Sequence, residues 1–84
     1  MKVKVLFFAS AREVVGEASI FLDFSDTMTT TVDLMQHLIA KYPRLGNSRA
    51  TISLAVNRTY IKGSDVISLK EGDEVALLPP ISGG

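Results

Sequence analysis

The carboxyl end of the chain reads Leu77-Leu78-Pro79-Pro80-Ile81-Ser82-Gly83-Gly84. Average glycine usage gives two adjacent glycines at a terminus by chance at roughly 0.5%, so the ending merits a chemical reading. Without a Cβ, glycine fits a narrow channel and lets the backbone approach a reacting group closely. A terminal glycine also has no stereocentre to epimerise when its carboxylate is activated. These properties suit acyl activation at Gly84: an adenylating enzyme makes the carboxyl-AMP, and a nucleophile displaces AMP. Sulfide or persulfide would leave a thiocarboxylate, whereas a cysteine or lysine would leave a thioester or an isopeptide. Pro79 and Pro80 cannot donate to a strand ladder and favour an extended backbone. The residues from Pro79 to Gly84 reach at most ~20 Å when extended, enough to enter a deep pocket on another protein. The plainer reading is a frayed terminus.

No other residues suggest turnover chemistry. With no cysteine present, disulfides, thiolate metal sites and a thiol nucleophile are excluded. His37, the sole histidine, lacks the partners a zinc site or a Ser-His-Asp set needs and reads as a solvated helix residue. Gly16, Gly46, Gly63 and Gly72 are isolated, so they read as turn glycines and not as a phosphate loop. The chain has no visible machinery for turning over a substrate.

Composition narrows the partners. Nine basic and nine acidic side chains balance to zero, which argues against a nucleic-acid footprint and against electrostatic membrane attachment. Near-zero charge gives little colloidal repulsion and suits a protein that works in complexes. The opening apolar run is short and meets Arg12 and Glu13 at once, so it reads as a strand and not a signal peptide. No segment is long enough to span a membrane. The expected compartment is the cytoplasm.

The elements that must position the tail follow from patterning. Residues 2–9 alternate, with Lys2 and Lys4 outward and Val3, Val5 and Phe7 inward, which predicts a strand. Ser10 and Glu13 fit a capping box for a short helix closed by Gly16. Residues 18–24 predict a second strand. Over 31–42, Met35, Leu38, Ile39 and Tyr42 make one apolar helical stripe. Asp33 and Lys41 suit the ends of that helix dipole, and Pro43 stops it. Residues 44–50 are expected to be polar and irregular. Ile52, Leu54 and Val56 share one face of a third strand. Asn57-Arg58 reads as a turn first and a contact site second, leading into a short strand at 59–61. Gly72 permits a turn in which Asp73 bonds local backbone, and 74–79 predict the last strand.

This order predicts one α+β domain over residues 1–84, a mixed sheet packed on one main helix, with an extended tail at 79–84. The ubiquitin-like β-grasp suits it, with the first and last strands parallel in the sheet centre. Leu6 and Phe8 then share the outer face with Lys2 and Lys4, and Ala76 and Leu78 share it with Glu74. Phe8 and Leu78 would form an apolar docking patch beside the tail exit, unless loop 10–16 or 60–66 covers it.

Three stretches resemble the small, sulfur-carrier subunit of molybdopterin synthase: KVLFFASARE at 4–13, LAVNRTY at 54–60 and LKEGDEVALLPPISGG at 69–84. Residues 17–50 match that family in pattern only. The resemblance implies a Gly84 thiocarboxylate, made by an E1-like adenylating enzyme using ATP and a sulfur-donor protein. It implies insertion of the tail, Pro79 to Gly84, into a large catalytic subunit that passes the sulfur to cyclic pyranopterin monophosphate. It also implies a heterotetramer, no cofactor bound by this chain, and a co-substrate and subunit that is non-catalytic by itself. The family's hydrophobic contact positions match Phe8, Tyr60 and Leu78, the first and last of which strand alternation selects without it. Tyr60 and Leu78 stand where other members carry different apolar side chains. The competing readings are a sulfur carrier for thiamine thiazole synthesis, a ubiquitin-like protein modifier and an interaction module with an inert tail.

Overall fold

A computed structural model of the chain describes residues 1–24, 29–61 and 65–79, with residues 48–51 described by their backbone alone. Its elements are β1 (Lys2–Phe7), α1 (Ala9–Val15), β2 (Ser19–Asp23), α2 (Thr31–Lys41), a 3₁₀ segment (Pro43–Thr51), β3 (Ser53–Val56), β4 (Thr59–Ile61) and β5 (Glu74–Leu78). The sheet order is β2-β1-β5-β3-β4. β1 and β5 lie parallel at its centre, and the other pairs are antiparallel. This is the expected α+β β-grasp.

Alternation builds the core. Val3, Val5 and Phe7 of β1 and Val75 and Leu77 of β5 are buried on one sheet face. Leu34, Met35 and Leu38 of α2 meet them in the same cluster, with Ile39 and Tyr42 packed at its edge. The predicted stripe thus holds, with Leu34 added to it. Leu45 is fully buried, although it stands alone in the polar stretch after α2. The chain there winds into a 3₁₀ segment instead of an irregular loop, which turns Leu45 inward.

The start of α1 differs from expectation, whereas α2 starts where predicted. The Ser10–Glu13 capping box does not form, because α1 begins at Ala9 and its N-cap is Phe8. Phe8 remains tied to the sheet, its N–H donating to the Leu77 carbonyl at 3.1 Å. Its own carbonyl accepts the Ala11 and Arg12 amides at 3.1 and 3.4 Å. The chain turns directly from strand to helix, so Ser10 sits inside the first turn. At α2 the reverse holds. Thr30 and Asp33 form a full capping box, so Asp33 satisfies specific amides as well as the helix dipole. Gly16 closes α1 at φ 84°, as predicted.

Turn chemistry fixes the outer strands. Asn57 and Arg58 have φ of 50° and 71°, the left-handed pair that a two-residue hairpin of matching twist requires. Gly72 has φ 85°. The Asp73 carboxylate, 5% exposed, accepts from the Lys70 amide at 2.9 Å and from Asn57 Nδ2 at 3.0 Å. Asn57 Oδ1 in turn accepts the Glu74 amide at 3.0 Å. The hairpin is thereby fastened to the start of β5. No helix among the described residues is long and apolar enough to cross a membrane.

Candidate functional site

The sheet face away from α2 carries the candidate site, and strand register determines which side chains meet there. Lys4 pairs with Glu74, and Leu6 with Ala76, across β1 and β5. Ala76 pairs with Ala55 of β3, and Ala55 with Tyr60 of β4. One row therefore runs Leu6, Ala76, Ala55, Tyr60. The next row toward the end of β5 holds Phe8 and Leu78, with Ser53 opposite Leu78. Two adjacent alanines make a low floor between larger side chains. The result is a groove of about 410 Å³, which Phe8, Tyr60 and Leu78 all line.

Phe8 and Tyr60 are 45% and 60% exposed. The alternative, that loop 10–16 covers the patch, does not hold; part of the other candidate cover, 60–66, lies outside the described residues. The groove is apolar at the end where β5 finishes and charged at the other. Lys4, Arg58 and Glu74 line the charged end. Pro79 follows Leu78 and is exposed, outside the strand, so β5 is one residue shorter than predicted. Pro80, Ile81, Ser82, Gly83 and Gly84, the rest of the predicted tail, lie outside the described residues.

His37 is exposed on α2, with its ring edge-on to Phe24 at 5.3 Å between centroids. Arg12 is exposed and forms no ion pair with Glu13 or any other carboxylate among the described residues. No group of three histidine, aspartate or glutamate side chains among the described residues could hold a metal.

Sequence reasoning underweighted one feature of this face and missed another. Arg58 was read as a turn residue first and a contact site second; it sits in the turn, and its side chain lines the groove. The available signal was an arginine at the second turn position after asparagine, where glycine is favoured. Phe21 of β2 is 65% exposed, with the ammonium groups of Lys2 and Lys4 at 5.8 and 5.9 Å from its ring centre. Lys4 and Phe21 are cross-strand partners, so the lysine stem covers part of an aromatic face that its charge also favours.

Known proteins resemble this chain along its length. The pattern of the ThiS family matches residues 5–84. A molybdopterin synthase sulfur carrier subunit from Chlamydomonas reinhardtii is 42% identical over 84 residues, all of both chains. The small archaeal modifier protein 1 of Methanosarcina acetivorans superposes with a TM-score of 0.78 at 28% identity, over 99% of this chain and 96% of that one. A chain from the complex of subunits 1 and 2 of the Helicobacter pylori molybdopterin-converting factor superposes over the whole of both chains, with a TM-score of 0.66 at 26% identity.

Proposed function

The chain belongs to the ThiS family, and from that membership we propose that it is a sulfur-carrier subunit of molybdopterin synthase, the name its Chlamydomonas relative carries. An E1-like enzyme joins the Gly84 carboxylate to AMP, consuming ATP and releasing pyrophosphate. A sulfide equivalent from a sulfur-donor protein attacks the acyl carbon; the C–S bond forms and AMP leaves. The resulting thiocarboxylate enters the large subunit, where its sulfur passes to cyclic pyranopterin monophosphate. Water then cleaves the acyl C–S bond, which leaves the sulfur on the pterin and restores the Gly84 carboxylate. ATP belongs to the activating enzyme, and this chain supplies the sulfur-bearing tail and the surface that presents it. Two such chains on a central pair of large subunits make the heterotetramer.

The observation that carries this reading is the geometry at the end of β5. The central parallel strand pair brings Phe8 and Leu78 together where the tail begins, with Tyr60 across the groove. A partner that seats two exposed aromatics there is anchored beside the tail's root. Aromatic anchors of this kind dominate interface energies. The tail needs no fold of its own to reach an active site from such an anchor. The Helicobacter complex of subunits 1 and 2 favours a large subunit as that partner.

The likeness to the Methanosarcina modifier favours a second reading, conjugation of Gly84 to lysines of other proteins. Intact mass separates the two. After incubation with the adenylating enzyme, ATP and a sulfur donor, the chain should gain the mass of one oxygen exchanged for sulfur, located on its C-terminal peptide. Adding the large subunit and pterin precursor should reverse the gain as molybdopterin appears. An unchanged mass, beside a control carrier that is converted, would refute the carrier reading. Conjugates of higher mass in cell extract, without molybdopterin formation, would establish the modifier.

A further inference from the structure

The charged end of the groove has no part in the reading above, and its composition is uneven. Glu74 lies between two cations: Lys4, its register partner on β1, and Arg58, in the turn that leads from β3. Among the described residues, neither cation forms an ion pair with Glu74 or with another carboxylate. Lys4 is engaged over the Phe21 ring, whereas Arg58 is exposed and engaged with no described group. Among the residues that line the groove, one carboxylate thus meets two cations.

Arg58 also occupies a backbone position that does not suit it. Its φ of 71° lies where a Cβ is crowded and where glycine follows asparagine in the favoured two-residue hairpin turn. The hairpin itself would be better served by glycine. Held conformations of this kind gather where a side chain is used. Here the residue so held carries the groove cation that is engaged with no other group among the described residues.

From these observations we infer that Arg58, with Lys4, selects a partner carboxylate, so the segment seated in the groove carries an acidic side chain as well as apolar anchors. The inference rests on the outer sheet face being the docking surface. Glu74 and Leu78 are four residues apart on one strand, about 13 Å at the usual rise. The partner's carboxylate and its apolar anchor must therefore be separated by about that distance. Apolar contact beside the tail root supplies the hold, and the cationic end fixes direction and register. A guanidinium suits this task because its planar fork matches a carboxylate in two parallel hydrogen bonds. Glu74 adds selectivity, since it repels a carboxylate that arrives out of register.

The test titrates the full chain against the large subunit at several salt concentrations, with the wild type, Arg58→Gly, Arg58→Glu and Phe8→Asp compared. Arg58→Gly should melt at the wild-type temperature or above. It should nevertheless weaken binding roughly three- to tenfold at low salt and flatten the salt dependence. Arg58→Glu should weaken binding further. If both Arg58 variants bind within about twofold of the wild type while Phe8→Asp does not bind, the carboxylate inference is overturned and the docking face stands. If Phe8→Asp also binds as the wild type, the docking face lies elsewhere and both readings fall.

Discussion

Phe8 shows how a single side chain can be prepared for use by its neighbours. Its amide completes the ladder to the Leu77 carbonyl, so the backbone is fixed while the ring stands 45% exposed. Because the ring lies outside the core cluster, Phe8→Asp should leave the melting temperature within a few degrees of the wild type. It should weaken the large-subunit complex at least tenfold, since interface centres admit few charges. Calorimetric titration checks the second statement and thermal melting the first. Wild-type affinity would place the partner on another face. The outward placing of Phe8 and Leu78 was legible in the sequence because strand parity alone sorts outward from inward. Tyr60 was not, since β4 is three residues long and gives too short an alternation to read. It was found only through the resemblance. Arg58 was underweighted for a different reason. An arginine where glycine is favoured marks a held position locally, but only the side-by-side placing of β3–β4 and β5 shows which groove it lines.

At the scale of elements, two hydrogen-bonded devices hold the site in place. The capping box of Thr30 and Asp33 starts α2, and the Asn57–Asp73 pair fastens the hairpin to β5. Thr30→Ala removes the first and should cost about 1 kcal/mol, which lowers the melting temperature by about 4–8 °C in a domain of this size. Binding of the large subunit should be unaffected. Asn57→Gly separates two contributions at the second. Glycine relieves the backbone at φ 50°, yet it leaves the buried Asp73 carboxylate and the Glu74 amide each short of a partner. The unsatisfied groups should prevail, with a loss of about 1–3 kcal/mol by urea denaturation. A variant as stable as the wild type would show that water replaces the asparagine. The long helix was legible because four apolar residues repeat at its period. The capping box of α1 was misread because Ser10 and Glu13 have the right spacing, while the sheet bond at Phe8 moves the helix start. Leu45 was missed because a lone leucine in a polar stretch carries no period, and only the 3₁₀ turn brings it inward.

For the molecule as a whole, stability and sulfur chemistry occupy different parts of the chain. Every buried core side chain among the described residues lies at or before Leu77, whereas the proposed chemistry lies at Gly84. The topology was legible because few folds accept strand, strand, helix, strand, short strand, strand with a parallel central pair. The tail's chemistry was legible only as composition, since Pro80 to Gly84 lie outside the described residues. Deleting Gly83 and Gly84 tests the separation directly. The truncated chain should unfold at the wild-type temperature and denaturant midpoint, because no described core contact is removed. Its affinity for the large subunit should fall only modestly, since Phe8, Tyr60 and Leu78 remain. Molybdopterin formation should vanish, because no glycine carboxylate is left to activate, and excess truncated chain should inhibit the wild type by occupying its site. The inhibition distinguishes the cause. A truncated chain that is inactive without competing has lost docking, and the tail then belongs to the interface as well as to the chemistry. One that is fully active leaves the tail without a chemical role and ends the carrier reading.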